Sequence, residues 1–169
     1  ANLVEFLFAP AIISQEVEKR SFELAREVVT ALDFVGILAV ELFLTKAGEV
    51  LVNEVAPRTH NSGHHTIESC HTSQFEQHMR AVLDLPLGNT ELLSPAVMLN
   101  LLGQEAFTGA VKYEGIAEVL AKKGVTIHLY GKADTKPYRK MGHVTILSET
   151  LEDAKDVALQ IKKELKVKA

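Results

Sequence analysis

The spacing of apolar residues divides this chain into extended and helical segments. Residues 3–8 (LVEFLF) form an apolar run that predicts a strand. Residues 15–32 carry apolar side chains at helical spacing, and Ser14 can cap the first turn, so we predict an amphipathic helix there. Residues 36–56 (GILAVELFLTKAGEVLVNEVA) contain two apolar runs on either side of Gly48, which is the pattern of a β-hairpin.

A polar loop follows the hairpin, and a second helix follows the loop. The sequence from Ser73 to Glu76 (SQFE) is a capping box, which predicts a helix that runs to about Leu83. We expect its apolar side chains to face a core: Phe75, Met79, Val82 and Leu83.

The second half of the chain predicts a small mixed domain. Residues 88–91 (GNTE) look like a linker, so we expect one domain over residues 1–87 and another over residues 88–169. The second domain contains predicted strands at 96–102, 125–130 and 140–147, a short helix at 113–123, and a final helix that Thr150 opens. The inward side of that last helix comprises Leu151, Ala154, Val157, Ala158, Ile161 and Leu165. The whole pattern predicts an α+β fold.

Two glutamates interrupt the apolar strands of the hairpin. If the turn is centred between residues 47 and 48, antiparallel pairing places Glu41 opposite Glu54. The same register pairs Phe43 with Val52 and Thr45 with Val50. Like charges in facing positions are destabilising, so this pair calls for a cation, and oxygen ligands suit Mg²⁺. The alternative is a register slip by one residue, which sends one glutamate to solvent.

Charge and composition exclude several classes of function. The net charge is −4 and the basic residues are scattered, whereas nucleic-acid-binding domains show clustered Lys and Arg. No apolar run reaches the roughly 20 residues that span a bilayer, so we expect no membrane partner. The single cysteine, Cys70, cannot form an intrachain disulfide, and we expect a reducing, cytoplasmic location. The chain begins at Ala1 in an apolar stretch, and we expect it to be a fragment.

Several longer motifs resemble a known family. The hairpin carries VELF and NEVAPR, the loop carries HNSGHHT, and SQFEQHMRAVLDLPL, SPAVMLNLLG and GKADTKPYRKMGHVT follow. Together they resemble the C-terminal part of the N5-carboxyaminoimidazole ribonucleotide synthase family, ATP-grasp enzymes of purine biosynthesis. The resemblance covers nearly the whole chain. It implies the C-terminal lobe of an ATP-grasp fold, followed by a small mixed α/β C-terminal domain.

The resemblance also implies an ATP and Mg²⁺ site on the hairpin. Glu41 and Glu54 would hold Mg²⁺ against the terminal phosphates of ATP, and the pair Asn53-Glu54 would border the nucleotide. Strand alternation would point the side chain of Asn53 to the face opposite Glu54. Arg58 could hold a carboxylate, bicarbonate or phosphate oxygen during catalysis, and the alternative for it is a surface salt bridge.

A second set of residues is implied to bind the acceptor, 5-aminoimidazole ribonucleotide. His60, Asn61 and Ser62 would contact this substrate, and His60 could also act as a general base. Lys132 and Arg139 would grip its 5′-phosphate, with the point charge of lysine beside the fork of arginine. The alternative for that basic run is an ordinary exposed hairpin.

Histidines in the loop offer a rival interpretation as a zinc site. The candidate ligands are His60, His64, His65, Cys70 and His71. Histidines four apart on a helix, with a glutamate, form a zinc hydrolase motif. Here Asn61-Ser-Gly63 favours a turn, and no glutamate follows His60 directly, so we expect no zinc.

The activity that the resemblance implies is ATP-dependent carboxylation of 5-aminoimidazole ribonucleotide with bicarbonate. The family's N-terminal domain and earlier ATP-grasp portion are missing here, so we expect the fragment alone to be inactive. We expect the full-length enzyme to be a homodimer. Two alternatives stay open. One is another ATP-grasp ligase with a different acceptor, and the other is a non-catalytic module whose hairpin is a scaffold for a protein contact.

Overall fold

A computed structural model describes residues 3–169 and contains both helices and strands. The strands are β1 (Phe6–Ala9), β2 (Ala39–Leu44), β3 (Val50–Ala56), β4 (Ala96–Leu102), β5 (Gly109–Ala110), β6 (Lys112–Glu114), β7 (Val125–Leu129), β8 (Asp134–Thr135), β9 (Lys140–Leu147) and β10 (Lys166–Lys168). The helices are α1 (Gln15–Ala31), α2 (Thr66–Ser69), α3 (Gln74–Val82), α4 (Ile116–Leu120) and α5 (Leu151–Glu164). The described residues divide into two compact units, residues 11–91 and residues 3–10 with 92–169. The α+β prediction is confirmed.

The unit of residues 11–91 consists of α1, the hairpin β2–β3, α2 and α3, and α1 lies against both hairpin strands. Both predicted helix caps are present. The Ser14 hydroxyl accepts the N–H of Val17 at 3.3 Å, and the Ser73 hydroxyl accepts the N–H of Glu76 at 3.2 Å. A cap depends on residues only three apart, which is why the sequence predicts it.

The apolar side of α3 does not face a core in the described chain, so that prediction is wrong. Four side chains are 39% to 59% exposed: Phe75, Met79, Val82 and Leu83. The helix instead buries the polar Gln74, whose side chain is bonded to the preceding loop.

The other unit is organised by a four-stranded antiparallel sheet in the order β1-β4-β9-β7. Helix α5 packs against β4 and β9. The buried cluster that joins them is apolar: Val97, Leu99, Leu101, Val144, Ile146, Ala154, Ala158, Ile161 and Leu165 belong to it, and Leu151 and Val157 pack against it. The predicted inward side of the last helix is therefore confirmed. Apolar burial of this kind supplies most of the driving force for folding.

Strand β1 departs from the predicted division into residues 1–87 and 88–169. It pairs antiparallel with β4, from Phe6 opposite Leu99 to Ala9 opposite Ala96, and so belongs to the unit that contains residues 92–169. Its backbone groups obtain their hydrogen-bond partners there, and Phe6 packs against the core. A pairing across about ninety residues leaves no local trace in the sequence.

The helix predicted at 113–123 is shorter than expected. Tyr113 lies in β6, which pairs with β10, and α4 begins only at Ile116. Gly115 separates the two elements with a φ of +84°, a left-handed conformation that glycine adopts without steric cost. Over residues 3–169, no helix has the length and apolar character needed to cross a membrane.

Candidate functional site

The hairpin brings its two glutamates together, as predicted. Glu41 on β2 lies opposite Glu54 on β3. Glu54 is exposed, and the side chain of Glu41 is 37% exposed, so both carboxylates are open to an approaching cation. The donor set consists of hard oxygens and leaves room for water and phosphate ligands, which fits Mg²⁺.

A β-bulge lies beside this glutamate pair. The register shifts between Glu41 and Leu42, so that Leu42 pairs with Val52 and Asn53 is the extra residue on β3. The shift makes two predicted pairs wrong: Phe43 pairs with Leu51 instead of Val52, and Val50 pairs with Leu44 instead of Thr45. Strict alternation does not hold at a bulge. Alternation therefore no longer assigns the side chain of Asn53 to the face opposite Glu54.

His60 connects the glutamate pair to the loop that follows β3. Its Nε2 lies 3.4 Å from Glu41 Oε1, and its Nδ1 lies 2.8 Å from the Ser62 hydroxyl. The backbone N–H of Ser62, which can only donate, also points to Nδ1 at 3.3 Å. Nδ1 is therefore the acceptor, and the ring proton sits on Nε2, facing the Glu41 carboxylate.

This arrangement favours a positioning role for His60. Both ring nitrogens already have neighbours, and Nε2 lies close enough to the Glu41 carboxylate, at 3.4 Å, to orient it. Ligating carboxylates are commonly oriented by polar groups outside the metal site. Asn61 and Ser62 lie in a short 3₁₀ helix, Asn61–Gly63, and both are half-buried. The exposed Arg58 follows β3, and its guanidinium donates to the Thr59 carbonyl at 3.0 Å.

Lys132 and Arg139 lie in the other compact unit. Lys132 Nζ donates to the Lys140 carbonyl at 2.5 Å and sits 5.5 Å from the centre of the Tyr130 ring. Arg139 donates to the Asp134 carbonyl at 2.8 Å. Both cations are thus held by backbone carbonyls of the same segment, which leaves their remaining donors for an anion.

The histidines of the loop are not gathered round a common point. The His64 ring stacks on Phe75 with centroids 5.6 Å apart, and His65 Nδ1 lies 2.7 Å from the Ser69 hydroxyl. Within residues 3–169, no group of three or more His, Cys, Asp or Glu side chains is arranged to hold a metal ion. The structure therefore gives the rival zinc interpretation no ligand set.

Gln74 is a residue of this site that the sequence reasoning missed. It occupies the first position of α3 and is buried, and its side chain holds His60 and His64. The capping box marks this position as the start of a helix, where polar residues ordinarily face solvent. No sequence signal within the box distinguishes the buried case.

His65 is half-buried in this loop, and its ring is hydrogen-bonded to Ser69. The Ser69 hydroxyl donates to the His65 carbonyl at 2.8 Å, so His65 Nδ1 carries the proton that it shares with Ser69. Burial lowers the pKa of His65 below its ordinary value of 6.5, and the negative charge of Glu68 only partly opposes this.

Acidification is therefore expected to destabilise the protein through His65. The unfolded chain takes up a proton as the pH falls below 6.5, whereas the folded chain does so only at its lower pKa, and stability is lost between these two values. In urea unfolding at about pH 7.5 and about pH 5.5, His65→Gln should lose less stability than the wild type. The exposed His71→Gln is the control and should match the wild type. Equal losses in His65→Gln and the wild type would contradict the assignment.

Two family models match the chain. The model of the ATP-grasp domain matches residues 1–75, and the model of the phosphoribosylaminoimidazole carboxylase C-terminal domain matches residues 96–157. The class of protein is therefore an ATP-grasp enzyme fragment: part of an ATP-grasp domain is followed by a carboxylase C-terminal domain.

Individual relatives narrow the class to one family. The chain is 48% identical to N5-carboxyaminoimidazole ribonucleotide synthase of Bacillus subtilis over 149 residues, which are 88% of this chain and 37% of the relative. The crystal structure of N5-carboxyaminoimidazole ribonucleotide synthetase from Thermotoga maritima is 55% identical, with a TM-score of 0.94 over 97% of this chain and 46% of that one. The chain corresponds in sequence and fold to the C-terminal portion of the N5-carboxyaminoimidazole ribonucleotide synthase family.

A further relative was solved with ligands. N5-carboxyaminoimidazole synthase from Aspergillus clavatus, in complex with ADP and 5-aminoimidazole ribonucleotide, is 35% identical with a TM-score of 0.85, over 96% of this chain and 44% of that one. The chain spans only part of its curated relatives: 28% of the chloroplastic phosphoribosylaminoimidazole carboxylase of Vigna aconitifolia and 37% of the Bacillus subtilis enzyme.

Proposed function

We propose that the full-length protein to which this sequence belongs carboxylates 5-aminoimidazole ribonucleotide with bicarbonate, using ATP. The observation that carries the proposal is the link from the glutamate pair through His60 to the loop of Asn61 and Ser62. This link ties a phosphate-and-metal site to a set of short donors and acceptors suited to a second substrate. The relative crystallised with ADP and 5-aminoimidazole ribonucleotide supports the choice of that substrate.

The proposed reaction has two steps, activation of bicarbonate and transfer of the activated carboxyl group. A bicarbonate oxygen attacks the γ-phosphorus of ATP, the bond to ADP breaks, and carboxyphosphate forms. The amine of 5-aminoimidazole ribonucleotide then attacks the carboxyl carbon, loses a proton, and releases phosphate. The protein must hold these charged reactants together and keep water from the labile intermediate.

Each residue receives a proposed role. Glu41 and Glu54 hold Mg²⁺, Asn53 borders the nucleotide beside Glu54, and His60 orients Glu41. Bound Mg²⁺ offsets the charge of the phosphates during phosphoryl transfer. The exposed guanidinium of Arg58 binds an oxygen of bicarbonate or of carboxyphosphate.

The acceptor has two proposed contact regions in the chain. His60, Asn61 and Ser62 bind 5-aminoimidazole ribonucleotide, and Lys132 with Arg139 binds its 5′-phosphate. We also propose a homodimeric, cytoplasmic enzyme, by analogy with the family and from the single cysteine.

The test is ADP release by the full-length protein, with 5-aminoimidazole ribonucleotide and bicarbonate each present or omitted. Release that needs both compounds supports the carboxylating ligase. Equal release without the ribonucleotide would overturn the choice of acceptor and favour another ATP-grasp ligase. No ATP consumption under any condition would favour a non-catalytic scaffold.

A further inference from the structure

We propose that Gln74 is a positioning residue, which fixes the loop of residues 60–64 in the shape that binds the acceptor. This loop is called the acceptor loop below. The inference rests on the proposed function for its catalytic meaning, because the acceptor loop contains His60, Asn61 and Ser62. Its geometric part concerns only contacts within residues 11–91.

The side chain of Gln74 holds both ends of the acceptor loop. Its Oε1 accepts the backbone N–H of His60 at 2.9 Å, and its Nε2 donates to the carbonyl of His60 at 2.8 Å. Nε2 also lies 3.0 Å from Nδ1 of His64. One buried amide therefore contacts the first residue of the loop twice and the last residue once.

These contacts determine the orientation of the amide. A backbone N–H can only donate, so the atom facing His60 N must be the carbonyl oxygen of Gln74. The nitrogen then supplies two protons, one to the His60 carbonyl and one to His64 Nδ1. Every proton of the amide has a partner, which satisfies a buried polar group that would otherwise be costly.

The backbone of the loop is shaped to admit this side chain. A Cβ atom placed on Gly63 would lie 2.5 Å from Gln74 Oε1, so only glycine leaves room for the amide. The N–H of Gln74 donates to the Thr66 hydroxyl at 2.9 Å, which in turn donates to the Gly63 carbonyl at 2.6 Å. Two hydrogen bonds thus connect Gln74 through Thr66 to Gly63 of the loop.

This network acts on the site through His60. Two hydrogen bonds to the peptide groups of His60 fix where its side chain starts, and the ring then reaches Glu41 on one side and Ser62 on the other. These Gln74 hydrogen bonds to His60 and His64 are called the clamp below, and their loss should loosen the acceptor loop. Gln74 contacts neither proposed substrate directly and therefore acts as a positioning residue.

The chain offers a matched control on the same helix. Gln77 also uses its amide to hold the backbone of one residue, donating to the Gly88 carbonyl at 3.1 Å and accepting the Gly88 N–H at 2.8 Å. Gln77→Ala removes a similar pair of hydrogen bonds outside the acceptor loop. It reports the effect of lost stability alone.

The test compares Gln74→Ala, Gln74→Glu and Gln77→Ala in the full-length protein. Gln74→Glu keeps the volume of the side chain and the oxygen that accepts the His60 N–H, but it places a second oxygen against the His60 carbonyl. It therefore tests the clamp even if the alanine variant folds poorly. We expect both Gln74 variants to raise KM for 5-aminoimidazole ribonucleotide by about tenfold or more, and Gln77→Ala to leave it within about twofold. KM does not depend on the fraction of folded enzyme, so a merely structural role would not move it.

A second measurement needs no activity. In ¹⁵N-histidine NMR spectra of the wild type, His64 should show an unprotonated Nδ1 that accepts a hydrogen bond. That signal should change in Gln74→Ala and persist in Gln77→Ala. If ADP release by the wild type does not depend on the ribonucleotide, the proposed function is wrong. The spectra alone would then test whether Gln74 holds the loop. An unchanged KM in both Gln74 variants of an acceptor-dependent enzyme, or an unchanged His64 signal, would overturn the inference.

Discussion

Replacing Glu54 with glutamine is expected to lower kcat for ribonucleotide-dependent ADP release by about a hundredfold or more. Glutamine keeps the shape of the side chain but removes one of the two charges that face each other across the hairpin. With one carboxylate left, the proposed site would hold a divalent cation weakly, and the charge that develops during phosphoryl transfer would lose its main stabiliser. Raising Mg²⁺ should restore part of the rate.

The melting temperature distinguishes a loss of the proposed metal ligand from misfolding. Removing one of two facing like charges relieves repulsion, so the melting temperature of Glu54→Gln should equal or exceed that of the wild type. Glu49→Gln, in the exposed turn of the same hairpin, is the matched control and should keep full activity. A Glu54→Gln enzyme with near wild-type kcat would show that the hairpin is not part of the proposed metal site.

Replacing His60 with alanine is expected to lower kcat/KM for 5-aminoimidazole ribonucleotide by about 10- to 100-fold, the usual cost of losing an outer partner of a metal ligand. The alanine variant breaks the link from Glu41 to Ser62, which runs through the two ring nitrogens. The exposed His71→Ala is the control and should leave kcat/KM unchanged.

His60→Gln distinguishes positioning from general-base catalysis. A glutamine amide can still donate a proton to Glu41 but cannot accept one from the substrate at neutral pH. Positioning therefore predicts that glutamine restores part of the activity that alanine loses. If glutamine and alanine are equally inactive, and the pH–rate profile loses a limb in both, the general-base role stands instead.

The sequence predicted those parts of the fold and the site that depend on nearby residues. Ser14 and Ser73 cap helices through contacts three residues away, and the apolar spacing after Thr150 gives the buried side of α5. The hairpin was also predictable from its two apolar runs, but the facing of Glu41 and Glu54 depends on the bulge, because the register next to the turn would place Asn53 opposite Glu41. The family motifs then gave these glutamates a proposed chemical role.

Only the tertiary structure decided the contacts between residues that are distant in the sequence. The bulge at Asn53 was invisible to an argument from alternation, and β1 pairs with β4 across about ninety residues. The burial of Gln74 was not predictable either, because the sequence at the start of a helix is the same whether or not a loop covers the polar residue there. Spacing along a chain records local geometry, whereas such hydrogen bonds form only after distant backbone groups have been brought within about 3 Å of each other. The sequence by itself therefore determined the capped helices and the hairpin, whereas the fold determined the bulge that places Glu54 opposite Glu41 and the contacts by which Gln74 holds His60 beside Glu41.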